Sequence, residues 1–110
     1  MVEEAIITNI ERYLRSLPAL GIHARKAVLF GSHAKNSADE WSDIDLIVIA
    51  PEFDQSRESS LVKKLWRATL AVDNRIDPIP CGEREWETDE ASPLLEIARR
   101  EGVPIRVDAA

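Results

Sequence analysis

The 110-residue chain holds one cysteine, Cys81, and two histidines, His23 and His33. One cysteine excludes an internal disulfide framework and cysteine-rich zinc sites, and two histidines are too few for a His-based metal cluster. Aromatic residues make up 5% of the chain, and cations are outnumbered: 14 Lys and Arg stand against 20 Asp and Glu, for a formal net charge of −6. That balance argues against non-specific binding to DNA or RNA, which needs clustered basic charge. Small nucleotides stay open, because divalent cations can reverse the local sign. The longest apolar run, Leu46 to Ala50, is far short of a bilayer span. The acidic start, Met1-Val2-Glu3-Glu4, lacks the basic and apolar regions of a signal peptide. These absences read as a soluble, cytoplasmic protein without membrane contact, and the length fits one domain over residues 1–110.

What is present is a mixed pattern of helices and strands. Ile6, Ile10, Tyr13, Leu14 and Leu17 recur at spacings of three and four, which predicts a helix over 3–17 stopped by Pro18. Lys26 to Phe30 reads as a buried strand ending in the turn Gly31-Ser32, with a short helix expected over 32–37. Asp43 to Ala50 is rich in β-branched residues and reads as a second strand closed by Pro51. Residues 51–60 are polar and read as a loop. Leu61, Leu65, Ala68 and Val72 mark a second long helix, and Arg75 to Pro80 a third strand whose prolines place it near an edge. Residues 83–90 are indeterminate, loop or short helix. Ser92-Pro93 is a helix start, Arg99 and Arg100 suit a last turn, and Gly102 ends it. Val103, Ile105 and Val107 alternate as a final edge strand. The expected class is α/β (α+β): a small mixed sheet with helices packed on it.

One constellation stands out. Gly31-Ser32 follows an apolar strand, and ten residues later comes Asp43-Ile44-Asp45. Glycine lets backbone approach a ligand closely, and a serine hydroxyl adds a donor, so the turn is a candidate phosphate seat. Asp43 and Asp45 sit at i and i+2, so on a strand both face the same way, roughly 6.5 Å apart at the backbone. Two such carboxylates suit Mg²⁺, which takes hard oxygen ligands together with substrate phosphates. Asp77 lies on the next strand, where it can face the same site, hold metal and accept a hydroxyl proton. Taken singly, Gly-Ser is a common turn and Asp-x-Asp a solvated strand start. Jointly, and beside Leu46-Ile47-Val48-Ile49, acids are costly unless something pairs them.

This pattern resembles the signature of the DNA polymerase beta-like nucleotidyltransferases. The stretch Val28-Leu29-Phe30 and the sequence Ser42-Asp43-Ile44-Asp45-Leu46 are similar to the minimal nucleotidyltransferase branch. The resemblance implies that fold, and a nucleotide held by Gly31, Ser32, Lys35 and Ser42. It implies that Asp43, Asp45 and Asp77 are catalytic and bind Mg²⁺, two ions in all. It further implies transfer of a nucleoside monophosphate, AMP from ATP, to a hydroxyl with release of pyrophosphate. Minimal members commonly act as antitoxins to HEPN-domain ribonuclease toxins, some by adenylylating a tyrosine of that partner, so a HEPN-domain toxin is the implied partner. An acceptor that is a small molecule or tRNA, or an antitoxin that acts by binding alone, stays open. The chain departs from the family's Gly-Ser-x-Ala-Arg-Gly in reading Gly31-Ser32-His33-Ala34-Lys35-Asn36. Lys35 keeps the charge without the two-pronged geometry of Arg, and Asn36 can adopt the left-handed turn.

The remaining residues carry blander expectations. His33 either touches a phosphate or stands exposed at a helix start, the reading favoured because a neutral imidazole adds little anion attraction, and His23 has no partner visible in the sequence. Lys63, Lys64 and Arg67 form a basic helical face, either solvated or a partner surface. Arg75 shares a strand face with Asp77, where it either reaches a triphosphate or pairs with an acid. Trp41 walls the pocket or packs, Trp66 flanks an apolar stripe, and Trp86, set among acids, hints at an interface. Cys81 reads as a small buried hydrophobe.

Overall fold

The apolar spacing near the N-terminus does form a helix. In the computed structural model, which describes residues 2–35, 37–39, 41–55 and 59–107, α1 runs over Glu4–Ser16 and buries Ile6, Ile10, Tyr13 and Leu14. Pro18 opens a 3₁₀ turn, Pro18–Leu20, so the chain winds on tighter instead of stopping outright. Four strands follow: β1, Lys26–Phe30; β2, Ile44–Ile49; β3, Ile76–Cys81; and β4, Val103–Ile105. Their order across the sheet is β3-β2-β1-β4. β1 is antiparallel to both β2 and β4, whereas β2 and β3 are parallel. The proline-bearing strands, β3 and β4, are the two edges, where a missing N–H is tolerated.

Parallel neighbours need a crossover. Here α2 (Glu52–Gln55), α3 (Ser59–Arg67) and a 3₁₀ turn (Ala68–Ala71) supply it. The loop expected over 51–60 is therefore helical at both ends. Phe53 of α2 is buried and gives that short turn an anchor, although its neighbours are polar; residues 56–58 lie outside the described residues. The stretch 83–90 also resolves: α4 is Glu83–Thr88, with the Asp54 carboxylate accepting from the Arg84 N–H at 2.9 Å. Helix α5, Pro93–Glu101, starts as its sequence signals, the Ser92 hydroxyl accepting from the Leu95 N–H.

Strand alternation splits the core across two faces. Ile44, Leu46 and Val48 meet Ala27, Leu29, Ile76, Ile105 and the α1 and α3 side chains, including Leu65. Ile47 and Ile49 meet Val28, Cys81, Leu95 and Ala98 on the other face. β2 is thus buried on both sides, which is why it reads as a continuous apolar run. The Tyr13 hydroxyl donates to the Leu65 carbonyl at 2.7 Å, tying α1 to α3, and burial pushes the phenol's pKa upward. Trp86, expected at an interface, instead packs on the second cluster with the Arg99 guanidinium 5.1 Å over its ring. Cys81 is buried, as expected. Among the described residues no helix is long and apolar enough to cross a membrane.

Candidate active site

The site grows from the way β1 ends and β2 and β3 begin. Gly31 follows β1 with φ +75°, a conformation open to glycine and strained for other residues. Its Cα faces Asp45: a Cβ on Gly31 would collide with the Asp45 carboxylate. The glycine therefore lets the turn's backbone lie directly against the acid. In place of the expected short helix, residues 31–35 form a turn, with the Lys35 N–H donating to the Gly31 carbonyl at 3.2 Å. The left-handed turn expected at Asn36 lies outside the described residues.

Asp45 and Asp77 are register partners on the parallel pair β2–β3. Neighbouring strands lie about 4.8 Å apart, so the two side chains rise side by side. By the period of two both belong to the α5 side of the sheet, beyond its apolar cluster. Asp43, just ahead of β2, is exposed and within electrostatic reach of both. The pKa of Asp45 is raised by partial burial first, then by the charges of Asp77 and Asp43, while His33 pulls it down. Asp77 is likewise raised, by burial and then by Asp43. The acids that the sequence singled out thus form one electrostatic group. Among the described residues no three His, Cys, Asp or Glu side chains are spaced to hold a metal ion as they stand. The donor chemistry nevertheless suits one: all three are carboxylates, hard oxygen donors of the kind Mg²⁺ takes, and their mutual repulsion is what a divalent cation would relieve.

The segment carrying the acids is pinned from behind. The Asp39 carboxylate accepts from the Trp41 N–H at 2.9 Å and from the Ser42 hydroxyl at 3.2 Å, and the Asp39 N–H donates to that same hydroxyl at 3.1 Å. Ser42, expected to touch nucleotide, has its hydroxyl committed to this turn. His33 corrects the expectation of an exposed residue. It is 8% exposed, and its Nε2 lies 3.3 Å from the Ser42 carbonyl, joining the glycine turn to the acidic segment. The Asp-x-Trp-Ser spacing was the available signal for this turn, since Asp side chains bond backbone two residues on. Nothing local marked His33 for burial.

Other expected residues lie as follows. Ser32 is half-buried in the turn, its carbonyl accepting from the Ser37 N–H at 3.0 Å. Lys35 is exposed, its ammonium 4.0 Å from the Glu101 carboxylate. Arg75 resolves toward an ion pair. Its Nε and Nη2 donate to the two Asp73 oxygens at 3.0 and 2.7 Å, and Asn9 donates to the same carboxylate at 3.1 Å. This pulls the Asp73 pKa down, chiefly through the Arg75 bonds. His23 does have a partner, Glu52, at 3.1 Å. Trp41 does not pack into the core; it is 82% exposed. A cleft of about 330 Å³ opens between the N-terminal end of α1 and the residues His33, Ala38 and Asp39, with Glu3 and Arg75 also on its walls.

Known proteins resemble this chain in sequence or in fold. A Methanocaldococcus jannaschii protein with the name "Putative protein adenylyltransferase MJ0141" is 34% identical over 55 residues, 49% of this chain and 56% of that protein. The match therefore spans about half of that relative's length. A structure described as a toxin-antitoxin with AMP-PNP superposes with a TM-score of 0.63 at 20% identity, covering 93% of this chain and 73% of the other. A Sulfolobus solfataricus structure described as a putative nucleotidyltransferase gives 0.57 at 14% identity, covering 94% and 87%. These superpositions bear out the small mixed sheet with packed helices. Residues 7–98 match the family described as Nucleotidyltransferase domain, and the chain belongs to that family.

Proposed function

We propose that this chain transfers AMP from ATP to a hydroxyl of a protein partner, a tyrosine of a HEPN-domain ribonuclease toxin, and so serves as its antitoxin. Family membership supports the nucleotidyl transfer. The observation that carries the site assignment is the register pairing of Asp45 with Asp77, with Asp43 within electrostatic reach and Gly31 seated against Asp45. The name of the M. jannaschii relative supports a protein acceptor, and the toxin-antitoxin neighbour supports a toxin partner.

In this reading Gly31 and Ser32 hold the triphosphate, with Lys35 as a mobile point charge at the rim. Asp43, Asp45 and Asp77 would hold Mg²⁺, which when bound neutralises phosphate charge and supports in-line displacement. The acceptor oxygen forms a bond to the α-phosphorus as the bond from that phosphorus to the pyrophosphate oxygen breaks. The hydroxyl proton passes to the Asp77 carboxylate, which stands beside Asp45 on the neighbouring strand. Asp43 and Asp45 would serve as ligands of that cation, since bare carboxylates repel phosphates.

The test is direct. The chain is incubated with Mg²⁺, labelled ATP and the protein encoded by the gene adjoining its own. A covalently labelled partner, heavier by one nucleoside monophosphate, is expected, with labelling lost in Asp77→Asn while the two proteins still associate. Equal neutralisation of the partner by wild type and Asp77→Asn in cells would show that binding suffices and turn the reading to an antitoxin acting by binding.

A further inference from the structure

We infer that the outer face of α3 is a docking groove for an acidic amphipathic helix of the protein acceptor; this rests on the reading above that the acceptor is a protein. Leu65 is fully buried and Ala68 and Thr69 nearly so, which fixes the inner face of this segment. The outer face should then be polar throughout, yet Trp66 is 45% exposed and Leu70 75% exposed. With Val62, Thr69 and Asn74 they line an open groove of about 530 Å³. A large aromatic and a leucine left in water along one helical stripe are the anchors that an apolar helix face seeks.

The charge around the groove selects the occupant. Lys63, Lys64 and Arg67 are exposed and make no ion pair among the described residues. Two of these cations, Lys63 and Arg67, line the groove itself, in a chain whose net charge is −6. A two-fold pairing of two copies through the same face would set these cations against themselves, because an isologous contact joins identical patches. An acidic helix with apolar residues at i, i+3 and i+4 satisfies both the stripe and its rim.

Position links the groove to the reaction. Asn74, on its wall, lies in the turn that leads into β3 and is three residues before Asp77, so their Cα atoms are at most roughly 10 Å apart. α3 packs on the α1 face of the sheet and Asp77 rises on the α5 face, but β3 between them is an edge strand, so a partner reaches that carboxylate by rounding this edge. A partner seated along α3 and continuing past this edge brings its hydroxyl to the site.

The experiment compares wild type, Trp66→Ala/Leu70→Ser and Lys63→Glu/Arg67→Glu, using the purified product of the adjoining gene as probe. Each variant is first checked for an unchanged melting temperature and an unchanged shift with Mg²⁺-ATP. Both double variants should bind the probe at least tenfold more weakly, with labelling falling through a raised KM for the probe and an unchanged kcat. Wild-type binding should weaken with added salt, and that salt dependence should flatten in the charge-reversed variant. Probe binding by both variants equal to wild type, or a self-dimer of this chain that Trp66→Ala dissolves, would overturn the docking assignment while leaving the transfer reading intact. Failure of wild type itself to bind or label the probe would overturn both.

Discussion

Gly31→Ala should damage this protein through two separable causes, and the other left-handed glycine measures one of them alone. Gly21 has φ +85° and nothing within 4 Å of where a Cβ would stand. Gly21→Ala therefore adds only the penalty for a left-handed L-residue, about 1–2 kcal/mol. Gly31, at φ +75°, incurs that same penalty and also drives a methyl group into the Asp45 side chain. The carboxylate must leave its rotamer or the turn must shift, which adds about 1–3 kcal/mol. A domain of this length loses roughly 4 °C of melting temperature per kcal/mol. Gly21→Ala should then cost about 4–8 °C and Gly31→Ala about 8–20 °C.

A double-mutant cycle isolates the collision. With Asp45→Ala the carboxylate is gone, leaving only the Cβ, 3.5 Å from the added methyl group, an ordinary contact. In that background Gly31→Ala should fall to the Gly21→Ala value, giving a coupling of about 1–3 kcal/mol in urea unfolding followed by tryptophan fluorescence. An equal cost for Gly31→Ala in both backgrounds, within about 0.5 kcal/mol, would refute the claim that glycine is there to seat backbone against Asp45.

Two further predictions follow from the carboxylates. Asp45 and Asp77 have raised pKa values, so their ionised forms weaken the fold once pH exceeds the folded values, and protonation as pH falls through those values restores it. Asp45→Asn should raise the unfolding free energy from urea melts at pH 7 by about 0.2–1 kcal/mol, the order of a charge pair across strands, with the gain vanishing in acid. The same variant should lose the melting shift that Mg²⁺-ATP gives wild type, about 2.7 kcal/mol at a hundredfold ligand excess, so the two proteins exchange rank on adding ligand. Asp73 runs oppositely. Its pKa is lowered, so its stabilisation is present above the ordinary carboxylate value and is lost as pH falls through the folded value. Asp73→Asn should cost about 1.5–3 kcal/mol at pH 7, for the weakened bonds to Arg75 and Asn9, and little in acid.

The fold was legible where a pattern was long enough to have a period. The α1 stripe, the apolar run of β2 and the Ser92-Pro93 start each carry several agreeing signals, and each element lies within a residue or two of its expected place. Proline placed both edge strands correctly, because a missing donor is a constraint visible in one letter. The misses are short segments held by distant partners. Helix α4 is anchored by Asp54, some thirty residues upstream, and α2 by the burial of Phe53. His33 is buried because a turn folds back on Ser42. None of these contacts has a local spacing to betray it. The three acids were legible as a set because two flank the start of one strand and a third lies on the next, but their closeness depends on strand register, which no single segment encodes.

That register is what binds stability to the site. β2 carries the core on both faces and Asp45 on one of them, so its alignment has a single low-energy setting. Slipping β2 by one residue against its neighbours would turn Asp45 toward the α1 and α3 side, where its carboxylate would be buried among Ile10, Leu65 and Ile76 without a partner. Every side chain of a strand changes face in such a slip, so the penalty falls on the whole core at once. The apolar residues of β2 thus hold Asp45 opposite Asp77 far more firmly than any contact between the two acids could, since those acids repel. A site built from like charges needs its alignment enforced from outside itself, and here the buried run Leu46-Ile47-Val48-Ile49, immediately adjoining Asp45, supplies that enforcement.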